Sequence, residues 1–255
     1  MSVRVRKLVE FIVATPAVKR DRLNMRAWFA AFCMYLAALA VVSLGAFDRY
    51  SDTGSDWGRA VWLFGLYLFY FSLACTFVPI PTSWFILFLA SPVGGLPLGA
   101  LWRVMVVAAL GALATGVSHV NEYHVISYLL RLGRIHRVKE TRIYQWSERQ
   151  FVISPFLLQV AFNVIPAPAD PVRWLAAIYG YPLGRFFLAH SLGRFIRYSL
   201  MALAAEVLEL TLWQIAAIQC AIVAIAFSRM AVKWTFRAAV RSDKGAGELV
   251  KEPVG

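Results

Sequence analysis

Charged residues are scarce in this chain. They make up 16% of its 255 residues, against roughly 25% in a soluble domain, while 60% are hydrophobic and the mean hydropathy is +0.63. From Ala60 to Trp102 there is no charged residue at all. These absences exclude an ordinary soluble domain and point to an integral membrane protein, with one helical membrane domain using nearly all of the length. Acids are scarcer than bases, 14 against 26, for a net charge of +12. The bases flank apolar runs, so anionic lipid and topology signals account for them better than nucleic acid does. Cysteine is nearly absent. Cys33, Cys75 and Cys220 stand singly inside apolar runs without CxxC or metal-like spacing, which leaves no disulfide framework or thiolate metal centre and reads as packing. The clustered aspartates of a metal-dependent phosphotransferase and the paired His and Arg motifs of a phosphatase are missing too. No cofactor, no metal site and no enzymatic activity are therefore expected. No small-residue cleavage site follows the basic leader, and no retention or prenylation signal ends the chain, so the first apolar run is expected to be a retained signal-anchor helix.

What is present is a series of apolar runs separated by prolines and basic clusters. Residues 1–26 are basic, and Ala27–Phe47 is a first span. The short, acid-leaning stretch Asp48–Arg59 is expected as a loop on the far side of the membrane. The core, 60–230, opens with Val61–Val78, the break Pro79–Ser83, a short Trp84–Ala90 segment and the breaker-rich Ser91–Gly99. Trp102–Ser118 is a further span. The basic density of 119–150 predicts a cytoplasmic helix lying along the membrane surface, with His119, His124 and His136 as surface residues. Phe151–Phe162 is apolar, then comes Ile165-Pro-Ala-Pro-Ala-Asp-Pro-Val-Arg173, then Trp174–Gly180. Pro182–Glu206 and Leu210–Met230 are the last spans, with Glu206 and Glu209 at the far interface and Trp213 and Trp234 as interface anchors. The basic tail 231–255 puts the C-terminus in the cytoplasm beside the N-terminus. The charge pattern closes only if each proline-broken segment returns to the side it entered. The expected fold is thus all-α, with four full spans plus two opposed re-entrant hairpins, 61–99 and 151–180.

The two breaks resemble one another. Pro79-Ile-Pro81 is followed by Pro97-Leu-Gly99, and Pro166-Ala-Pro168 by Pro182-Leu-Gly184, each ahead of a longer span. Apolar segments interrupted at corresponding positions point to a binding site built on an inverted repeat. Irregular backbone at depth is tolerated where it lines a polar cavity. Asp170 and Pro171 look like a helix start, and Thr82 or Ser83 could cap the other short helix. Helix N-termini suit phosphate or carboxylate, and Arg173 adds a charge with a bidentate donor fork. Arg173 and Asp170 either serve such an anion or form an i,i+3 pair that neutralises itself. Asn163 can hydrogen-bond the broken backbone or a substrate, and Arg194, with Arg197 on the same turn, can meet substrate or anchor at the cytoplasmic face. His190, inside a span, reads as a packing histidine.

Phe162-Asn-Val-Ile-Pro-Ala-Pro-Ala-Asp-Pro-Val-Arg-Trp-Leu-Ala-Ala-Ile-Tyr-Gly180, continuing through Phe186-Phe187 to Leu192-Gly193-Arg194, resembles the DedA family, also called the SNARE-associated or VTT-domain superfamily. Phe77-Val-Pro-Ile-Pro-Thr resembles that family's first proline motif, and the likeness covers roughly residues 60–206. The resemblance implies two opposed re-entrant hairpins in the bacterial inner membrane and transbilayer movement of a phosphate-bearing lipid, undecaprenyl phosphate or a phospholipid. Arg173 matches the arginine of the second motif. Asn163 stands where many members carry another arginine, and Thr82 and Ser83 are uncharged where an acid is often found. Those departures weigh against proton coupling and favour passive scrambling or a different lipid. The implied partners are membrane lipids with anionic phosphate headgroups, with self-association left open and no nucleic acid. The competing classes are a membrane enzyme acting on lipid phosphates and a non-transporting assembly factor.

Overall fold

The structure, a computed structural model, describes residues 25–74, 82–131, 150–151, 153–165, 170–221, 224–225 and 228. The chain divides into two compact units, Met1–Leu210 and Thr211–Gly255. Among the described residues the secondary structure is helical throughout.

The first unit opens with α1, Met25–Thr53, and α2, Asp56–Ala74. The loop expected at Asp48–Arg59 is almost entirely helix. Ser51 Oγ donates to Asp48 O (2.7 Å) and Thr53 Oγ1 to Arg49 O (2.7 Å), so the polar side chains bond back onto α1 instead of opening it. Gly54, at φ +64, ends the helix, and its N–H donates to Tyr50 O at 2.8 Å. Ser55 Oγ then accepts from Gly58 N (3.4 Å), and Asp56 lies in the first turn of α2, where negative charge meets the positive helix end. The two helices fold back on each other, with Tyr35 and Ser72 hydroxyls 3.1 Å apart.

The short helix α3, Ser83–Ala90, is where the proline spacing puts it. Phe85, Ile86, Leu87, Leu89 and Ala90 are buried, so this wholly apolar helix is covered by its neighbours. Pro92–Gly94 forms one 3₁₀ turn, and the long α4 follows at Ala100–Arg131. The second set is α5 (Pro155–Val164), α6 (Asp170–Ile178) and α7 (Leu183–Val207). Pro79, Pro81, Pro166 and Pro168, and with them both expected hairpin tips, lie outside the described residues.

The helices pack reciprocally. α4 and α7 form the principal pair, α2 packs on α4 as α5 packs on α7, and the short helices cross over, α3 onto α7 and α6 onto α4. Arg103 meets Glu206 near one end of the α4–α7 pair, and the His119 and His190 rings stack further along, so the two run antiparallel. Two glycines set how closely the elements approach. A Cβ on Gly116 of α4 would lie 2.3 Å from Ser191 Oγ, and one on Gly193 of α7 would lie 2.6 Å from both Asn163 Cβ and Val160 O. Small residues at such contacts are the usual means by which helices associate in lipid.

Residues 119–131 do not form a surface helix; they continue α4. His119 and Asn121 are fully buried and His124 nearly so. Trp28 of α1 donates its indole N–H to Asn121 Oδ1, and its ring lies 5.2 Å from the His124 ring. Val120, Tyr123 and Ile126, all buried, carry the apolar pattern past His119, and no breaker interrupts it. Two helices among the described residues, Arg26–Thr53 and Ala100–Leu129, are long and apolar enough to cross a membrane. α7 turns its chemistry inward: Leu188, Leu192, Ile196, Leu200, Leu203 and Val207 are exposed, while His190, Gly193 and Tyr198 are buried.

In the second unit, helix α8 (Leu212–Ala221) begins with a reciprocal cap: Thr211 N donates to Gln214 Oε1 (2.9 Å), and Gln214 N donates to Thr211 Oγ1 (3.5 Å). Trp213 is exposed, and Trp234 lies outside the described residues.

Candidate functional site

Helix α4 carries Thr115, Ser118, His119 and Glu122 at i, i+3, i+4 and i+7, which puts them on one face of the helix. Thr115, Ser118 and His119 are completely buried. α5 contributes Gln159 and Asn163 one turn apart, α6 contributes Arg173, and α7 contributes His190, Arg194 and Tyr198. Side chains from these four helices form one buried polar cluster.

At its centre the His119 and His190 rings stack with centroids 4.5 Å apart, and Phe186 packs on His190 at 4.2 Å. Asn163 Nδ2 donates to Gln159 O at 2.7 Å and contacts His190 Nδ1 at 2.8 Å. Arg173 Nη1 donates to Glu122 Oε2, an ion pair whose side chains are 14% and 19% exposed. Arg194 Nη1 reaches Tyr198 OH at 3.5 Å, and that hydroxyl lies 3.1 Å from Thr115 Oγ1. Thr115 and Glu122 each stand one turn from His119 on α4, which joins the Arg194 and Arg173 contacts to the stacked imidazoles. A second ion pair, Arg103 Nη2 to Glu206 Oε1 at 2.7 Å, lies toward the other end of α4 and α7. Removing one partner of such a shielded pair strands the other charge, at a cost of about 3–5 kcal/mol when burial is complete and less here.

Three of the sequence-predicted residues, Arg173, Asn163 and Arg194, are thus brought together. Arg173 has a carboxylate partner that the sequence did not suggest, because Glu122 lies in a segment read as a surface helix. Asp170 begins α6 three residues before Arg173, and Pro171 follows it, as a helix start requires; the Asp170 side chain lies outside the described residues. Asn163 bonds an imidazole and the carbonyl of its own helix. Thr82 and Ser83 stand at the start of α3, a separate helix from the four that build the cluster, and the Thr82 side chain makes no capping hydrogen bond. The residues missed were Glu122, His119 and Gln159. The i, i+3, i+4, i+7 polar spacing on α4 was the signal for Glu122 and His119. Compared with known proteins, the chain matches no family model, no curated protein and no solved structure.

Proposed function

We propose that this chain is a multi-pass membrane protein that moves a phosphate-bearing lipid across the bilayer, as its resemblance to the DedA family implies. In this reading α1, α2, α4 and α7 are spans, and α3 and α6 are the inner limbs of two opposed re-entrant hairpins. The reciprocal packing of α3 on α7 and α6 on α4, around an antiparallel α4–α7 pair, is what an inverted repeat requires. The outward Leu, Ile and Val stripe of α7 suits contact with acyl chains.

The observation that carries the proposal is the buried polar cluster beside the second expected break, where the His119 and His190 rings stack at 4.5 Å, Asn163 meets His190, and Arg173 pairs with Glu122 one turn along α4 from His119. Ionisable groups enclosed by apolar spans are costly, and they mark substrate pathways by default. Arginine offers a fork of donors that matches phosphate oxygens. Glu122 holds Arg173 in place between substrates, and a passing phosphate competes for the same guanidinium.

The test is reconstitution of the full chain in liposomes carrying fluorescent phospholipid, with transbilayer movement read by quenching from one side. Protein-dependent movement that falls on Arg173→Ala, at equal incorporation, is the expected result. Movement equal to that of empty liposomes would remove the proposal, and release of inorganic phosphate or another lipid product would replace it with an enzyme.

A further inference from the structure

The Asn163 amide decides the protonation of a buried histidine. Its Nδ2 donates to Gln159 O, one turn back on α5, at 2.7 Å. That bond fixes which way the amide points, because the flipped amide would set two oxygens against each other at hydrogen-bond distance. The second Nδ2 hydrogen is therefore the one that meets His190 Nδ1 at 2.8 Å, so Nδ1 accepts. An imidazolium carries hydrogens on both nitrogens and would turn N–H toward N–H here. His190 is thus the neutral tautomer, with its proton on Nε2.

The charges around the histidine pair agree with that state. Glu122 of α4 is engaged by Arg173 of α6, while Arg194 and Arg197 follow His190 one and two turns along α7 itself. Helices α3 and α5 bring no charged residue, and the neighbouring titratable groups are Tyr198 and His119, the latter ring-stacked on His190 at 4.5 Å. A proton on either ring would add a cation to a set in which arginines already outnumber carboxylates. Histidine is the side chain whose charge ordinarily changes near neutral pH, so a stacked pair in a transport site would otherwise be the natural place for a proton to travel with the lipid.

We propose that Asn163 is a positioning residue that holds His190 neutral, so that lipid movement through this site is independent of pH between about 5 and 8. The inference rests on the transport reading above and adds its regulation: the lipid moves without a proton carried on His190.

The full chain with isotope-labelled histidine, in detergent micelles, reports the protonation of each ring from its two nitrogen signals, His190 being identified by replacing the histidines one at a time. The form with the proton on Nε2 should persist across that range. An imidazolium, or a proton on Nδ1, would overturn the inference. In phosphatidylcholine vesicles, protein-dependent movement of acyl-labelled phosphatidylglycerol, whose phosphodiester stays ionised throughout, should vary by less than about twofold over the same range. A larger change would overturn the inference while leaving lipid transport intact, and absence of movement would overturn the transport reading and this inference with it. Asn163→Asp, incorporated to the wild-type level, should create the missing titration. Its carboxylate makes Nδ1 a donor and favours the imidazolium, so the rate at the acid end departs from that at the alkaline end. A flat profile there, with His190 still neutral, would also overturn the assignment. The spectrum and the wild-type profile use the unmodified protein and so stand whether or not the variant folds.

Discussion

The two sets of helices that flank the α4–α7 pair, α2 with α3 and α5 with α6, differ in chemistry. In the first, α3 is apolar throughout and its environment is aromatic: Phe85 lies 5.2 Å from Tyr67 and stacks with Trp84 at 4.8 Å, and Tyr67 packs on Phe71 at 4.3 Å. In the second, α5 and α6 carry Gln159, Asn163 and Arg173 into the polar cluster. One set is packed by rings, and the other carries the polar groups. In the transport reading proposed above, only the second set would meet the lipid headgroup.

The comparison breaks most sharply at the ion pairs. Glu122→Gln should take the carboxylate from Arg173 and lower stability by about 1–3 kcal/mol, less than for a fully buried pair because both side chains are partly exposed; a melting curve in detergent would read it. The neutral double variant Arg173→Gln with Glu122→Gln should recover most of that stability yet still fail to move lipid. Neutralising Arg103 and Glu206 together should spare movement, and an equal loss from both doubles would erase the distinction between the two sets.

Arg173→Ala should slow lipid movement about tenfold or more, corresponding to one charge-assisted contact of roughly 1.5–3 kcal/mol. Arg173→Lys should recover only part of the rate, since ammonium keeps the charge and loses the fork. Gly193→Ala should cost about 1–3 kcal/mol by pushing α7 off α5, where the added Cβ meets backbone at 2.6 Å. Gly99→Ala, with nothing within 4 Å, should leave the melting temperature unchanged. The smallest loss belongs to the aromatic side. Tyr67→Phe removes a buried 3.0 Å hydrogen bond from Tyr67 OH to Val107 O and should cost about 1 kcal/mol, with lipid movement retained.

Much of the fold was legible in the sequence because prolines and glycines punctuate it. Ser83–Ala90 and Leu183–Val207 fall within a residue or so of where Pro and Gly placed them, and α6 begins at the Asp-Pro pair. The end of α4 was misread for a physical reason. Basic residues from Arg131 onward dominate the composition of 119–150, and they hid a buried helical face whose only acid is Glu122. The candidate site was half legible. Arg173 announces itself as a charge beside an apolar break, but its partner stands on another helix, and side-chain pairing across tertiary contacts leaves no local mark. The histidines are a similar case. His190 was read as packing, and it does pack, yet its tautomer depends on an asparagine that only the fold brings to it.

Arg103 and Glu122, the two α4 members of the ion pairs, stand about 28 Å apart along the helix axis at 1.5 Å per residue. That span is close to the roughly 30 Å hydrocarbon thickness of a bilayer. In the orientation proposed here the Glu122–Arg173 pair lies at the depth of the re-entrant segment, so the Arg103–Glu206 pair falls at or beyond one headgroup layer and anchors that end of α4 in water. Longer or shorter acyl chains would change how far the site lies from that anchored surface, and the rate of lipid movement would pass through a maximum at the matched thickness.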